Sequence, residues 1–243
     1  MKKICVAAVA VVLSPAALAL GAGELAFTSF NADEDGWAVV ALTDLPAGAT
    51  IFFSERTWDA AAGTFAGGEA TYRWQLDGGS VDAGSVVRFS SVNNADRHAS
   101  VGSLTASGVA NLSATGETLF AFLGDAPDVP GSFLAALSTE NFVGGQLAAT
   151  GLGLGVSALS LPDGADFAEY SGPRGGLGAF GDYAALINDP ANWNSETGGD
   201  MSGRVPDLAP FSVTSAVPEP QSYALLLAGL GFVALAARRR MMV

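Results

Sequence analysis

Residues 24–42, ELAFTSFNADEDGWAVVAL, contain two apolar segments on either side of a polar turn. In the first segment, Leu25 and Phe27 alternate with residues of the opposite face, which is the two-residue period of a β-strand. The second segment begins at Trp37 and is rich in valine, a residue that favours strands. The pattern predicts two consecutive strands joined by an acidic turn.

Short apolar segments and turn residues continue to alternate along the chain. The predicted strands are Glu24–Phe30, Trp37–Leu42, Thr50–Ser54, Thr71–Leu76, Ser85–Ser90, Ala99–Leu104, Glu117–Leu123 and Phe133–Ser138. Their spacing favours antiparallel sheets over alternating strands and helices. The glycine-rich residues 144–155 are expected to form a loop or an irregular edge strand. We therefore predict an all-β protein, with an antiparallel β-sandwich over residues 23–215.

One short helix is predicted near the end of this domain. Asp182 can cap the helix, and Pro190 ends it. Its apolar residues Tyr183, Leu186 and Ile187 share one face, which we expect to pack against the sandwich.

Three stretches of the body are similar to those of a domain that recurs in secreted bacterial proteins. They are ELAFTSFNAD at residues 24–33, LSATGETLFA at residues 112–121 and NDPANW at residues 188–193. In this pattern the body resembles lamin-tail-like or related immunoglobulin-type β-sandwiches. The resemblance supports the predicted fold and implies no established enzyme activity.

The N-terminus has the three parts of a secretory signal peptide. Lys2 and Lys3 form its charged region, and an apolar run of ten residues follows. Small residues then provide a signal-peptidase site that ends at Ala19, so residues 1–19 are the predicted signal peptide and its helix. Cleavage after Ala22 is the second choice. The sequence thus predicts export.

The composition of the exported chain excludes several classes of function. Cys5 and both lysines lie inside the signal peptide, so thiol nucleophiles, Schiff bases and a P-loop are excluded. Between residues 22 and 217, six basic side chains stand against 23 acidic ones, a net charge of −17. This charge repels nucleic acids and anionic lipids, so we expect no nucleic-acid partner.

The last part of the chain, residues 217–243, has the features of a membrane tail. It consists of the strip Pro218, Glu219 and Pro220, the uncharged run Tyr223–Ala237, and the cluster Arg238, Arg239 and Arg240. Fifteen helical residues rise roughly 22 Å, so they cross a hydrocarbon core of roughly 30 Å only if the bilayer thins or the arginines snorkel. We predict one transmembrane helix over residues 223–237, with the arginine cluster in the cytoplasm.

These elements, in this order after a signal peptide, resemble the PEP-CTERM sorting signal of Gram-negative bacteria. The resemblance implies that exosortase, a membrane cysteine protease, acts near Pro218, Glu219 and Pro220 while the tail is held in the inner membrane. It also implies release of the body to the cell surface or the extracellular matrix, often in bacteria that make exopolysaccharide. Signal peptidase, exosortase and exopolysaccharide are therefore the expected partners. An ordinary permanent anchor is the alternative interpretation.

Few side chains of the body offer catalytic chemistry. The single histidine, His98, has neither a nearby G-x-S-x-G motif nor a second histidine with which to bind zinc. A glycosidase needs two carboxylic acids that face each other across a cleft. The candidates for such chemistry are Glu55, Asp59 and Glu69, close in sequence to the aromatic residues Trp58, Tyr72 and Trp74. A secreted carbohydrate-active hydrolase is therefore retained as an alternative.

The turn after the first predicted strand resembles the start of a calcium-binding loop. Asn31, Asp33 and Asp35 alternate, and Gly36 follows them, as oxygen ligands do in such loops. A complete EF-hand is excluded, because Leu42 stands where the bidentate glutamate is needed. The same residue types are common in turns without any ion. Calcium is the one cofactor that the sequence suggests.

Together these features predict an exported, non-enzymatic protein with a structural or adhesive role at the cell surface or in the exopolysaccharide matrix. No catalytic residue is assigned. The hydrolase and the permanently anchored envelope protein are the alternatives.

Overall fold

The computed structural model describes residues 20–214 and 226–230. The predicted signal peptide, the Pro-Glu-Pro strip and the arginine cluster lie outside the described residues, as does most of the predicted transmembrane helix. Residues 226–230, which fall within that predicted helix, are helical. Among the described residues, no helix has the length and apolar character needed to cross a bilayer.

The body consists mainly of short strands. In chain order they are β1 (Leu25–Asn31), β2 (Gly36–Ala41), β3 (Thr50–Ser54), β4 (Thr57–Asp59), β5 (Thr64–Ala66), β6 (Thr71–Gln75), β7 (Val86–Ser90), β8 (His98–Ala99), β9 (Ser103–Ser107), β10 (Thr118–Ala126), β11 (Val129–Ser138), β12 (Ala158–Ser160), β13 (Phe167–Tyr170) and β14 (Trp193–Glu196). The α-helix α1 (Tyr183–Ile187) lies between β13 and β14.

Two six-stranded sheets and one hairpin contain these strands. Sheet I has the order β14-β13-β1-β2-β7-β8, and sheet II has the order β12-β11-β10-β3-β6-β9. β4 pairs only with β5. Neighbouring strands are antiparallel except for the parallel pair β11 and β12. The prediction of a mostly β protein with antiparallel sheets and one short helix is confirmed, and the architecture is consistent with a β-sandwich.

Aromatic side chains of the two sheets meet in a main core. Phe53 of β3 lies with its ring centroid 6.2 Å from that of Phe27 and 5.2 Å from that of Trp37, both in sheet I. Trp74 of β6 packs edge-on against Phe89 of β7 at 5.2 Å. All five side chains are at most 2% exposed. Their burial is the principal force that holds the sheets together.

A second apolar cluster, the satellite cluster, lies on the other face of sheet II. It comprises Phe52, Trp58, Phe65, Phe120, Phe122, Phe133, Ala136, Phe142, Leu152 and Ala158. Strands β3, β10 and β11 provide the phenylalanines of the sheet, whereas Trp58 and Phe65 come from the β4–β5 hairpin. Leu152 comes from the glycine-rich loop, and Phe142 lies just before it. The part of sheet II formed by β3, β10 and β11 is therefore buried on both faces.

The predicted single strand Ala99–Leu104 is wrong. β8 ends at Ala99 in sheet I, and β9 begins at Ser103 in sheet II, so the chain passes from one sheet to the other between them. Gly102 makes this passage with a φ of +78°, and a Cβ atom there would lie 2.4 Å from the carbonyl oxygen of Gln75. Only glycine fits this position.

The predicted helix is present, but its expected cap differs. α1 spans Tyr183–Ile187, and the side chain of Asp182 makes no capping hydrogen bond to it. Asp182 instead accepts a hydrogen bond of 3.0 Å from the backbone of Ala179 in the preceding 3₁₀ turn. The helix ends before Pro190, which begins another 3₁₀ turn.

Candidate functional site

The coil that leads to the sorting tail is fastened by an aromatic contact. Phe211 is only 3% exposed, and its ring stacks on Tyr170 at a centroid distance of 5.7 Å. Tyr183 of α1 meets the same ring edge-on at 5.1 Å. The guanidinium carbon of Arg174 lies 4.9 Å from the ring centroid, which is the geometry of a cation–π contact.

Arg174 also binds the backbone of this coil. Its Nη1 donates to the carbonyl oxygen of Ala209 at 2.8 Å, and its Nη2 donates to that of Asp207 at 3.1 Å. The hydroxyl of Tyr183 donates to the carbonyl oxygen of Ser212 at 2.7 Å. Arg174 thus binds two carbonyl oxygens of the coil at once. Lysine cannot do so in the same geometry, because only the planar guanidinium group presents several donors in fixed directions.

Backbone hydrogen bonds complete the attachment. Phe211 donates to Gly84 at 2.8 Å, Ser212 to Arg174 at 2.8 Å, and Thr214 to Leu177 at 2.9 Å. Gly84 has a φ of +88°, and a Cβ atom there would lie 2.4 Å from the carbonyl oxygen of Phe211. A larger residue at position 84 would therefore push the coil away.

We call Gly84, Tyr170, Arg174, Tyr183 and Phe211 the clasp. The sequence reasoning missed it, because its members are far apart in the chain and belong to no known motif. The available signal was an aromatic residue, Phe211, in a proline-containing coil, together with one of only six arginines in the body.

A second polar site closes one end of the main core. Two consecutive backbone amides, those of Leu112 and Ser113, donate to carboxylates: Leu112 to Asp35 at 2.7 Å and Ser113 to Glu117 at 2.9 Å. Glu55 accepts from the backbone amide of Ala70 at 3.4 Å. The hydroxyl of Tyr72 also donates to Glu55. We call Asp35, Glu55, Tyr72 and Glu117 the carboxylate cluster.

Burial dominates the electrostatics of this cluster. It raises the pKa of Glu55 to about 7 and that of Glu117 to about 8, against the hydrogen bonds that favour the charged forms. Burial likewise raises the pKa of Asp35. The pKa of Tyr72 is raised by burial and by the neighbouring charge of Glu55. Near neutral pH the cluster therefore holds protons that exposed glutamates would have lost.

This arrangement anchors the connection between β9 and β10. Glu55 and Glu117 are 4% and 5% exposed, and each already accepts a backbone amide. A general acid must reach the atom that it protonates. The geometry fits a structural role in which Asp35 and Glu117 hold this connecting segment, while Glu55 holds the start of β6 through Ala70 and Tyr72.

The predicted hydrolase residues are only partly brought together. Glu69 lies near enough to raise the pKa of Glu55 and Glu117, and Tyr72 bonds Glu55. Asp59 instead caps the β4–β5 turn, where it accepts from two backbone amides at 2.9 and 3.0 Å.

The two tryptophans of that predicted site pack in the interior. The indole nitrogen of Trp58 donates to the carbonyl oxygen of Ala148 at 2.9 Å, within the satellite cluster. That of Trp74 donates to Val101 at 2.8 Å, and its ring lies in the main core. Trp74 is 1% exposed, whereas Trp58 lines an open cavity together with Phe133 and Ala149. His98 is exposed on β8.

The predicted calcium ligands form hydrogen bonds with other groups of the protein. The amide of Asn31 donates to the carbonyl oxygen of Met201 at 2.9 Å, and its Oδ1 accepts from the backbone of Glu34 at 3.0 Å. Asp33 accepts from the backbone of Met201 at 2.7 Å, whereas Asp35 belongs to the carboxylate cluster. Within residues 20–214 and 226–230, no group of three or more histidine, cysteine or acidic side chains is placed to hold a metal. Calcium binding stays a prediction.

A cavity of about 630 Å³ is an open groove between the start of β3 and the β10–β11 hairpin. Glycine, alanine and backbone atoms form most of its wall, and Asp125 is its one acidic lining residue. The groove does not contain the paired carboxylates that the hydrolase alternative requires.

Comparison with known proteins identifies the tail. The PEP-CTERM protein-sorting motif matches residues 216–240, directly after the clasped coil. This motif is a recognition signal for exosortase, and it indicates a secreted protein that exosortase processes at the membrane. No curated protein and no solved structure matches the chain. The similarity of the body to lamin-tail-like domains therefore stays a prediction.

Proposed function

We propose that this protein is a non-enzymatic structural or adhesive component that exosortase delivers to the cell surface or the extracellular matrix. Residues 223–237 hold the chain in the inner membrane, Arg238, Arg239 and Arg240 stay in the cytoplasm, and processing occurs near Pro218, Glu219 and Pro220. The observation that carries the proposal is the sorting motif at residues 216–240, joined to a compact β-rich body.

The interior of the body supports the non-enzymatic part. The tryptophans that a sugar site would use are packed against phenylalanines, and the most perturbed glutamates bond backbone amides. The exported chain is acidic, with a net charge of −17 between residues 22 and 217, which favours solubility outside the cell.

The first described residues support export with cleavage after Ala19. Leu20 is 7% exposed and packs in the main core, and its carbonyl oxygen accepts from the hydroxyl of Ser132 at 3.4 Å. The amide of Gly23 donates to the carbonyl oxygen of Leu134 at 2.8 Å. Cleavage after Ala22 would remove the Leu20 contacts, so the fold favours the earlier bond.

C-terminal mass spectrometry of cell and medium fractions tests the proposal. We expect the chain to lose residues after the Pro-Glu-Pro strip in cells that contain exosortase and to keep Arg238, Arg239 and Arg240 in cells that lack it. Replacing Pro218, Glu219 and Pro220 with alanine should block the loss, whereas Pro162→Ala, in an exposed loop of the body, should not. An intact tail in all fractions would favour the permanently anchored alternative.

A further inference from the structure

The clasp controls how far the sorting motif can move from the folded body. Thr214, the last described residue of the coil, is bonded to Leu177 through both its backbone amide, at 2.9 Å, and its hydroxyl, at 3.0 Å. Val213 pairs with Leu177 as a parallel bridge. Thr214 is therefore the last residue before the sorting motif for which a contact with the body is described.

Only three residues separate Thr214 from Pro218. Even a fully extended chain covers at most about 14 Å over the four steps between these residues. A body of this size has a radius of gyration of about 16 Å. While the clasp is closed, Pro218 therefore lies within about 14 Å of Thr214, a distance shorter than the radius of gyration of the body.

A protease that cuts at this strip has to accommodate chain on both sides of the broken bond. The peptide bond that it hydrolyses must enter a cleft of the protease. Just upstream of this bond, Leu177 and the clasp hold the chain on the body, which hinders its entry. The acidic body also repels anionic lipid headgroups at the same short distance. The steric hindrance and the charge repulsion both weaken as the chain between Thr214 and Pro218 becomes longer.

We propose that the clasp is a processing brake: by holding residues 207–214 on the body, it limits the rate at which exosortase cuts the folded protein. This inference rests on the proposed function. The face of the body around Gly84, Arg174 and Leu177 is then the surface that exosortase meets.

Two kinds of variant independently lengthen the chain between its last contact with the body and Pro218. Insertion of ten glycine and serine residues between Thr214 and Ser215 leaves the clasp closed. Arg174→Ala weakens it, because the substitution removes the donors to Ala209 and Asp207 and the contact with Phe211, whereas the backbone bonds of Phe211 and Thr214 remain. The matched control carries the same ten-residue insertion between Gly78 and Gly79, in an exposed turn.

The full chain is pulse-labelled in cells with and without exosortase, and the half-time of tail loss is measured by mass. We expect the insertion after Thr214 and Arg174→Ala each to shorten the half-time at least threefold, and the combination to shorten it no further than the insertion alone. The control insertion should leave the half-time within 1.5-fold of the wild type.

Two outcomes overturn the proposal in distinguishable ways. If the wild type loses its tail but the insertion after Thr214 leaves the half-time unchanged or longer, the clasp is no brake and the proposed function stands. If the wild type never loses its tail in exosortase-containing cells, the proposed function fails, and the brake fails with it. A cooperative thermal melt of Arg174→Ala shows that its body remains folded, and the insertion variant is decisive where the melt is not cooperative.

Discussion

The two faces of sheet II are buried in different ways. One face meets sheet I in the main core, where Phe53 contacts aromatic side chains of four other strands. The other face carries the satellite cluster, and a hairpin of two three-residue strands and a glycine-rich loop cover it. Phe52 and Phe53 are adjacent in β3 and point to opposite faces, so one strand serves both clusters.

This difference distinguishes the main core, which the fold requires, from the satellite cluster, which is added to it. The main core cannot open unless the sheets separate, whereas the satellite cluster can lose its cover while every strand pair of both sheets stays intact. Free energies of local opening differ between regions of one protein for this reason. We therefore expect substitutions in the main core to act globally and substitutions in the satellite cluster to act locally.

Among the single substitutions, Phe53→Ala has the largest expected effect. Removing this fully buried ring leaves a cavity against Phe27, Trp37 and Phe89 and should lower the free energy of unfolding by about 4 kcal/mol. Urea unfolding followed by tryptophan fluorescence measures the change.

The matched variant is Phe65→Ala in the satellite cluster. Its expected cost is smaller, about 2 kcal/mol, because the hairpin can be released without separating the sheets. Amide exchange should increase in residues 57–66 and 142–152 and stay unchanged in β2. An equal cost for both variants, with exchange raised throughout, would remove the distinction between the clusters.

The free energy of unfolding should also depend on pH, and this dependence arises from groups at the main core and not from the satellite cluster. Unfolded glutamate loses its proton near pH 4.5, whereas folded Glu55 keeps it to about pH 7 and Glu117 to about pH 8. Unfolding between these values releases protons, so stability is greatest at mildly acidic pH and falls as the pH rises to 9. For Glu55 alone, the loss is about 3 kcal/mol.

Chemical unfolding at pH 5, 7 and 9 measures this loss. Glu117→Gln should flatten the profile, since the amide keeps an acceptor for Ser113 without a charge, and the exposed Asp163→Asn is the control. Exchange at pH 9 should increase in residues 109–117 but not in residues 142–152. A profile that rises from pH 5 to pH 9 would contradict the assignment.

The smallest expected effect concerns the bond between hairpin and loop. Trp58→Phe removes the indole donor to Ala148 and should cost about 1 kcal/mol, with faster exchange confined to the loop. Trp74→Phe removes the corresponding bond to Val101 in the main core, and its effect should spread to both sheets. Identical exchange patterns for the two variants would show that the clusters are not independent.

The sequence was sufficient for the central strands. Alternating apolar residues predicted β1, β2, β3, β6, β7, β10 and β11 to within a few residues, because each of these strands has one face in the main core. The short helix followed from its apolar residues and from Pro190. These signals are local, and local patterns survive in any antiparallel arrangement.

Other parts depended on contacts that no local pattern reports. The strands β4 and β5 have three residues each, too few to show alternation, and they exist because Trp58 and Phe65 cover sheet II. The passage between sheets at Gly102 looked like one continuous strand. Its position is set by the carbonyl of Gln75, which is distant in sequence.

The candidate site was predictable only where residues close together in sequence form a motif. The sorting motif was recognised from Pro218, Glu219, Pro220 and the basic end, and the match at residues 216–240 confirms it. The clasp and the carboxylate cluster depend on burial. The raised pKa of Glu117, for example, arises from its environment and not from its neighbours in sequence.

Both ends of the body are fastened: Leu20 is buried at its start, and Phe211 is buried close to its end. Exopeptidases digest a chain from a loose terminus. If the signal peptide and the sorting tail are removed as proposed, the contacts that hold Leu20 and Phe211 in the body would slow digestion of the remaining chain from either end.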